Sequence, residues 1–125
     1  MKQCLLADDS AVIRKVARRI LEDLDFDVLE AEDGRTALDI CGEEMPDIIL
    51  LDWNMPEFDG VEFLKELRRM EGGKQPKVVF CTTENDVVTI ARAMRAGANH
   101  HLMKPFDRAI LTAKLAEAGI LSPVS

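Results

Sequence analysis

The sequence predicts an α/β domain built on a parallel five-stranded sheet with helices on both faces. Short apolar runs alternate along the chain with segments of helical periodicity, giving five strand and five helix candidates in turn. The clearest run, Ile48-Ile49-Leu50-Leu51, is apolar on both faces, the mark of a parallel strand covered by helices on each side. Right-handed crossovers then restrict the topology to a few arrangements.

Each element has a local reason. Cys4 to Ala7 is an apolar run that ends in Asp8-Asp9-Ser10, and Ser10 is suited to cap the helix that follows. In that helix Ile13, Val16, Ala17, Ile20, Leu21 and Leu24 recur at helical spacing, with Arg14, Lys15, Arg18 and Arg19 between them. Asp27 to Ala31 is a short second strand. Asp33-Gly34 punctuates it, and Thr36 to Glu43 forms a short helix. The third strand, Ile48 to Leu51, runs into a loop from Asp52 to Gly60 that contains Pro56 and Asp59-Gly60. A third helix covers Val61 to Met70 and breaks at Gly72-Gly73. Val78 to Cys81 is a fourth, buried strand. Val87, Val88, Ile90, Ala91 and Met94 mark a fourth helix, stopped by Gly97. Asn99 to Met103 is a fifth strand of weaker pattern, ended by Lys104-Pro105. Asp107 starts a last helix that finishes near Gly119.

Composition narrows the function classes. The 125 residues suit one domain, 1–125, with no linker, repeat or low-complexity tract. Only Ser122 to Ser125 follow the last helix, so no attached output domain is expected and output falls to a partner. A hydrophobic content of 47% against 31% charged residues reads as globular rather than disordered. With 23 acidic and 16 basic side chains the formal charge is −7, which repels nucleic acid and anionic lipid. The apolar runs are too short to span a bilayer, and Asp8-Asp9 interrupts any secretory signal. Cys4, Cys41 and Cys81 are odd in number and lack metal-ligand spacing, as expected of three reduced thiols in a cytoplasmic protein.

The polar residues gather where chemistry would be placed. Asp8 and Asp9 follow the first strand, Asp52 the third, Thr82 and Thr83 the fourth, and Lys104 the fifth. In a parallel sheet these are all C-terminal strand ends, the edge where α/β sheets bind ligands. Singly, each has an ordinary structural reading: a helix cap, a turn residue, a solvated strand end. Together they form one site. Three nearby carboxylates repel by roughly 4 kcal/mol per pair at ~4 Å and an effective dielectric near 20. They stay ionised beside a cation, or one of them holds a proton. An all-oxygen donor set suits Mg²⁺, which binds one or two carboxylates together with phosphate oxygens. Lys104 and a threonine hydroxyl then meet the remaining anionic oxygens, and a carboxylate is available as nucleophile.

Asp8-Asp9, Asp52-Trp53-Asn54-Met55-Pro56 with Asp59-Gly60, Thr82, and Lys104-Pro105-Phe106 together resemble the receiver domain of bacterial response regulators over almost the whole chain. The Asp52 to Gly60 stretch looks especially like the stand-alone chemotaxis regulators. The resemblance implies a doubly wound, flavodoxin-like sheet of order 2-1-3-4-5 and a signalling switch of a two-component or phosphorelay system. It implies that Asp52 accepts a phosphoryl group from a histidine kinase or histidine phosphotransfer protein. It implies that Asp9, Asp52 and the backbone carbonyl of Asn54 bind Mg²⁺, with Asp8 helping through water. Thr82 would bond the phosphoryl oxygens, Lys104 would pair with them, and the Lys104-Pro105 bond would be cis. Asn54 and Glu84 would touch the water that attacks the acyl phosphate and so tune self-dephosphorylation. An output protein would read the surface of the fourth helix, fifth strand and fifth helix on a monomer.

Two departures stand out. Where relatives often carry an aromatic switch residue, three positions before the lysine, this chain has His101, beside His100. His101 is read either as a half-exposed strand residue or as a switch with a titratable ring. Thr83 stands where many relatives have Ala or Gly, and its bulk could narrow access to Asp52. The alternative function is a Mg-dependent phosphatase or phosphotransferase that forms an aspartyl phosphate. Such enzymes usually place a second acid two residues after the nucleophile, where Asn54 stands, and need a cap that this length leaves no room for. A flavin carrier of the same topology would want a hydroxyl- and Gly-rich phosphate loop after strand one, where Asp8-Asp9 repels phosphate. A degenerate, binding-only receiver would lack some of these residues.

Overall fold

The computed structural model describes residues 2–121. Five strands alternate with five helices: β1 (Gln3–Ala7), α1 (Ala11–Asp23), β2 (Asp27–Ala31), α2 (Gly34–Glu43), β3 (Ile48–Asp52), α3 (Gly60–Arg69), β4 (Lys77–Thr82), α4 (Val87–Ala96), β5 (His100–Met103) and α5 (Arg108–Glu117). All strand pairs are parallel, in the order β2-β1-β3-β4-β5. The expected α/β class, strand order and helix count therefore hold. The tail Ser122–Ser125 lies outside the described residues.

Each helix starts on a side-chain cap. Ser10 Oγ accepts from the Ile13 amide, and Asp33, Asp59, Asp86 and Asp107 cap the other four helices in the same manner. Asp33 explains why α2 begins at Gly34, two residues earlier than its apolar pattern suggests. Gly97 closes α4 at φ +126°, a conformation that side-chained residues rarely adopt.

Successive residues of the central strands point to opposite faces, and each face packs its own core. Cys4 and Leu6, Ile48 and Leu50, and Val79 and Cys81 meet Ala17, Ile20 and Leu21 of α1 and Leu111 and Leu115 of α5. Leu5 and Ala7, Ile49 and Leu51, and Val78 and Phe80 meet Ala37 and Cys41 of α2, Phe63, Leu64 and Leu67 of α3, and Ala93 of α4. All three cysteines are buried and free. Burial raises the Cys41 thiol to about 11 and the Cys81 thiol to about 12, so neither is a ready nucleophile at neutral pH.

At the N-terminal side of the sheet Arg68 joins three elements. Its guanidinium donates to the carbonyls of Gly73, Pro76 and Gly97 and to Asn99 Oδ1, at 2.6 to 3.1 Å. Asn99 Oδ1 also accepts from the Val78 amide. The end of α3, the start of β4 and the end of α4 are thus held on one side chain.

Candidate functional site

β1 turns one way to reach β2, and β3 lies on its other side, so a crevice opens between the C-terminal ends of β1 and β3. Asp8 and Asp9 enter it from β1. Asp52 is the last residue of β3, and Thr82 the last of β4. Both belong to their strands, one residue beyond the apolar runs, because their backbones still pair, with Cys81 and Met103 respectively.

The acids are held differently. Asp52 is buried, and its Oδ1 accepts from the Asn54 amide at 2.9 Å and from Lys104 Nζ at 3.1 Å. Asp8 is buried too: Oδ1 accepts from the Ser10 amide, and Oδ2 from Lys104 Nζ at 2.9 Å. Asp9 is exposed. One carboxylate oxygen from each of the three lies within 4.8 Å of the others. Such a set fits a hard divalent cation with oxygen ligands, and Mg²⁺ in particular.

Lys104 is bracketed by two acids. Its amide donates to the Thr82 carbonyl at 2.8 Å, which sets its backbone at the crevice, and the next peptide bond, Lys104-Pro105, is cis. Burial pulls the ammonium pKa down, but the bonds to Asp8 and the charge of Asp52 outweigh that, and the net shift is upward. Asp52 moves upward as well. Its burial and the neighbouring Asp8 charge outweigh the Asn54 amide and the share of Lys104 that reaches it. The two shifts oppose each other across one ion pair because Lys104 serves two carboxylates. The crevice is short of positive charge, so a cation entering it meets a carboxylate whose charged form is disfavoured.

Thr82 is fully buried, and its Oγ1 accepts from the Glu84 amide at 3.0 Å, which leaves its own proton free to donate elsewhere. Glu84 therefore meets the site through its backbone; its side chain is exposed. Asn54 Oδ1 accepts from the exposed Thr83 amide at 3.0 Å and ties the loop after β3 to the loop after β4. His101 lies outside the crevice, half-buried on β5. Its ring sits 5.9 Å from Phe80, whose ring is 5.0 Å from Trp53, the neighbour of Asp52. Gly60 lets the Trp53 ring lie against the start of α3, where a Cβ would come within 2.4 Å of it.

Arg14 escapes sequence reasoning. Arg14 Nη1 donates to the Asp8 carbonyl at 2.6 Å while its Nε pairs with Glu30 at 3.0 Å. In the sequence it is one of four basic residues on the polar side of a helix.

The model of the response regulator receiver domain family matches residues 4–116. The chain belongs to that family. The receiver is 38% identical over 112 residues to the chemotaxis protein CheY-3 of Vibrio cholerae, covering 89% of this chain and 86% of that one. It is 35% identical over 115 residues to the chemotaxis protein CheY homolog of Campylobacter jejuni, covering 90% and 88%. Among solved structures, the chemotaxis response regulator CheY4 of Vibrio cholerae superposes with a TM-score of 0.89 at 33% identity, covering 94% of this chain and 98% of that one. The receiver is thus a phosphorylation-activated switch of two-component signalling, of a family that binds Mg²⁺ in an acidic pocket and works with histidine kinases and downstream targets. Among the described residues no helix is long and apolar enough to cross a membrane.

Proposed function

We propose that Asp52 is the phosphoacceptor, and that this receiver takes its phosphoryl group from the phosphohistidine of a kinase or phosphotransfer protein in the cytoplasm. The observation that carries the reading is the buried Asp52 carboxylate sharing one lysine with Asp8, at the sheet's switch point. In the transfer an Asp52 oxygen attacks phosphorus, the phosphorus–nitrogen bond breaks, and the imidazole leaves with its electron pair. Asp9, Asp52 and the Asn54 carbonyl would hold Mg²⁺, with Asp8 helping through water. Bound there, Mg²⁺ would supply neutralising charge to the oxygens of the transferring group.

The remaining work belongs to side chains. Lys104 gives up part of its contact with Asp52 and pairs with the phosphoryl oxygens. Thr82 turns its free proton toward the same anion. Asn54 and Glu84 flank the line of water attack, and orienting that water alone lowers a barrier by several kcal/mol. Such a polar pair favours rapid self-dephosphorylation. The donor protein docks along an apolar groove of about 410 Å³, where exposed Val12 and Val16 of α1 face Pro105 and Phe106 beside Lys104.

Output runs through α4, β5 and α5 of a monomer to a partner protein; nucleic acid and membrane are not targets of this acidic chain. Drawing Thr82 and Lys104 toward one anion shifts the ends of β4 and β5, and His101 moves with them as a switch. The decisive experiment is incubation with acetyl phosphate and Mg²⁺ followed by intact mass. The parent gains one phosphoryl group; label persisting in Asp52→Asn overturns the assignment.

A further inference from the structure

We propose that Arg14 is a positioning residue that sets the affinity of the acidic crevice for a divalent cation. The inference rests on the reading that Asp9 and Asp52 hold Mg²⁺.

Asp8 and Asp9 sit at the free end of β1, where the strand ladder has run out. The last ladder bond there is the Asp8 amide to the Ala31 carbonyl at 3.0 Å. Arg14 Nη1 meets the Asp8 carbonyl at 2.6 Å. Arg14 is itself fixed: its Nε bonds Glu30 Oε1 at 3.0 Å, while the other Glu30 oxygen accepts from Arg18 at 2.7 Å. A chain of contacts therefore runs from α1 and β2 to the backbone between the two acids.

Two further observations make that contact matter. Arg14, Asp8 and Asp52 line, with Leu6, Ala7 and Phe106, a pocket of about 20 Å³, room for a single water. The Arg14 side chain thus borders the same small space as the two buried acids. Glu30 also balances the Arg14 charge, so a guanidinium beside three carboxylates can hold a backbone in place without acting as a rival cation. Groups that orient metal ligands from one shell further out commonly change metal affinity about tenfold or more when removed.

The charge and the positioning roles have opposite signs. Removing a nearby cation strengthens Mg²⁺ binding if charge alone acts, whereas loosening the Asp8–Asp9 backbone weakens it. Mg²⁺ is titrated into the parent, Arg14→Gln, Arg14→Lys, Glu30→Gln and Asp9→Ala, by calorimetry and by the fluorescence of Trp53. Arg14→Gln should weaken binding about tenfold, and Arg14→Lys, which keeps the charge but not the fork, should weaken it less. Saturating Mg²⁺ should restore the parent's rate of labelling by acetyl phosphate, a split that general destabilisation does not produce. Arg14→Gln binding Mg²⁺ as tightly as the parent, or more tightly, while Asp9→Ala binds it poorly, overturns the role of Arg14. Unchanged binding in Asp9→Ala overturns instead the ligand reading beneath it. If Arg14→Gln does not fold, Arg14→Lys decides, since it keeps the charge but loses the planar fork that joins the Asp8 carbonyl to Glu30; parent-like affinity there refutes the proposal.

Discussion

Replacing Asp52 with Asn should make the metal-free receiver more stable at neutral pH, although it removes the proposed phosphoacceptor. Asp52 lies within 4.8 Å of both Asp8 and Asp9, counted between carboxylate oxygens. At an effective dielectric near 20, each repulsion is about 3.5 kcal/mol. Lys104 at 3.1 Å returns roughly 5 kcal/mol on the same scale. The two repulsions exceed the one attraction by one to two kcal/mol on this scale, and burial of the charge adds to the deficit. Asn keeps the shape and an oxygen for the Asn54 amide, so the expected gain is about 2 kcal/mol, or roughly 6–10 °C in a domain of this size.

The pH dependence carries the sign. The folded-state pKa of Asp52 is raised, chiefly by burial. The folded parent therefore keeps a proton where the unfolded chain has lost it. That contribution is fully present below the unfolded carboxyl pKa, ~4, and is lost as pH rises through the folded value. The advantage of Asp52→Asn should thus be absent near pH 3 and grow toward pH 7. Saturating Mg²⁺ should close the gap by stabilising only the parent. Urea unfolding of both proteins across this range, in chelator and in Mg²⁺, measures it. A variant no more stable than the parent at pH 7 in chelator, or a gain of equal size at pH 3, would refute the electrostatic account.

Two other outcomes follow from the same geometry. Arg68→Ala strips donors from three backbone carbonyls and the Asn99 side chain, and should cost about 2–4 kcal/mol in urea unfolding with an unchanged slope; a loss under about 0.5 kcal/mol would put Arg68 among ordinary surface residues. His101→Ala should bind beryllofluoride as the parent does but lose discrimination by a partner that reads β5. Partner binding equal to that of the beryllofluoride-bound parent would leave the relay to Thr82 alone.

The central strands were readable because both their faces are buried. β2 and β5 read weakly for a physical reason: they are the sheet's two edges, each has one neighbour, and their side chains are only partly covered. The apolar runs stop one residue short at Asp52 and Thr82, because a polar side chain hides a backbone that still pairs. Helix starts at Ser10 and Asp107 follow from capping chemistry. Asp8, Asp9, Asp52 and Lys104 were legible as a group because parallel topology puts strand ends on one edge, and the structure brings all four together. Arg14, Arg68 and the Asn54–Thr83 tie were not legible. Each acts on a backbone carbonyl or amide, and backbone groups carry no residue signature.

The Arg68 contact also fixes the mechanics of α4. Two of its bonds end on the Gly97 carbonyl, at the very residue that closes that helix. The other end of α4 starts at the Asp86 cap, four residues beyond Thr82, and is joined to the crevice only by a short exposed loop. The helix is therefore a beam about 15 Å long, pinned at its far end and loose at its near end. A pull on Thr82 would therefore be expected to pivot it rather than slide it, with the displacement greatest at Val87 and Val88 and least at Gly97. Those two valines are the most exposed apolar side chains on the helix. On that mechanics a protein that senses α4 through its first turn would read the full stroke, and one that grips its last turn almost none.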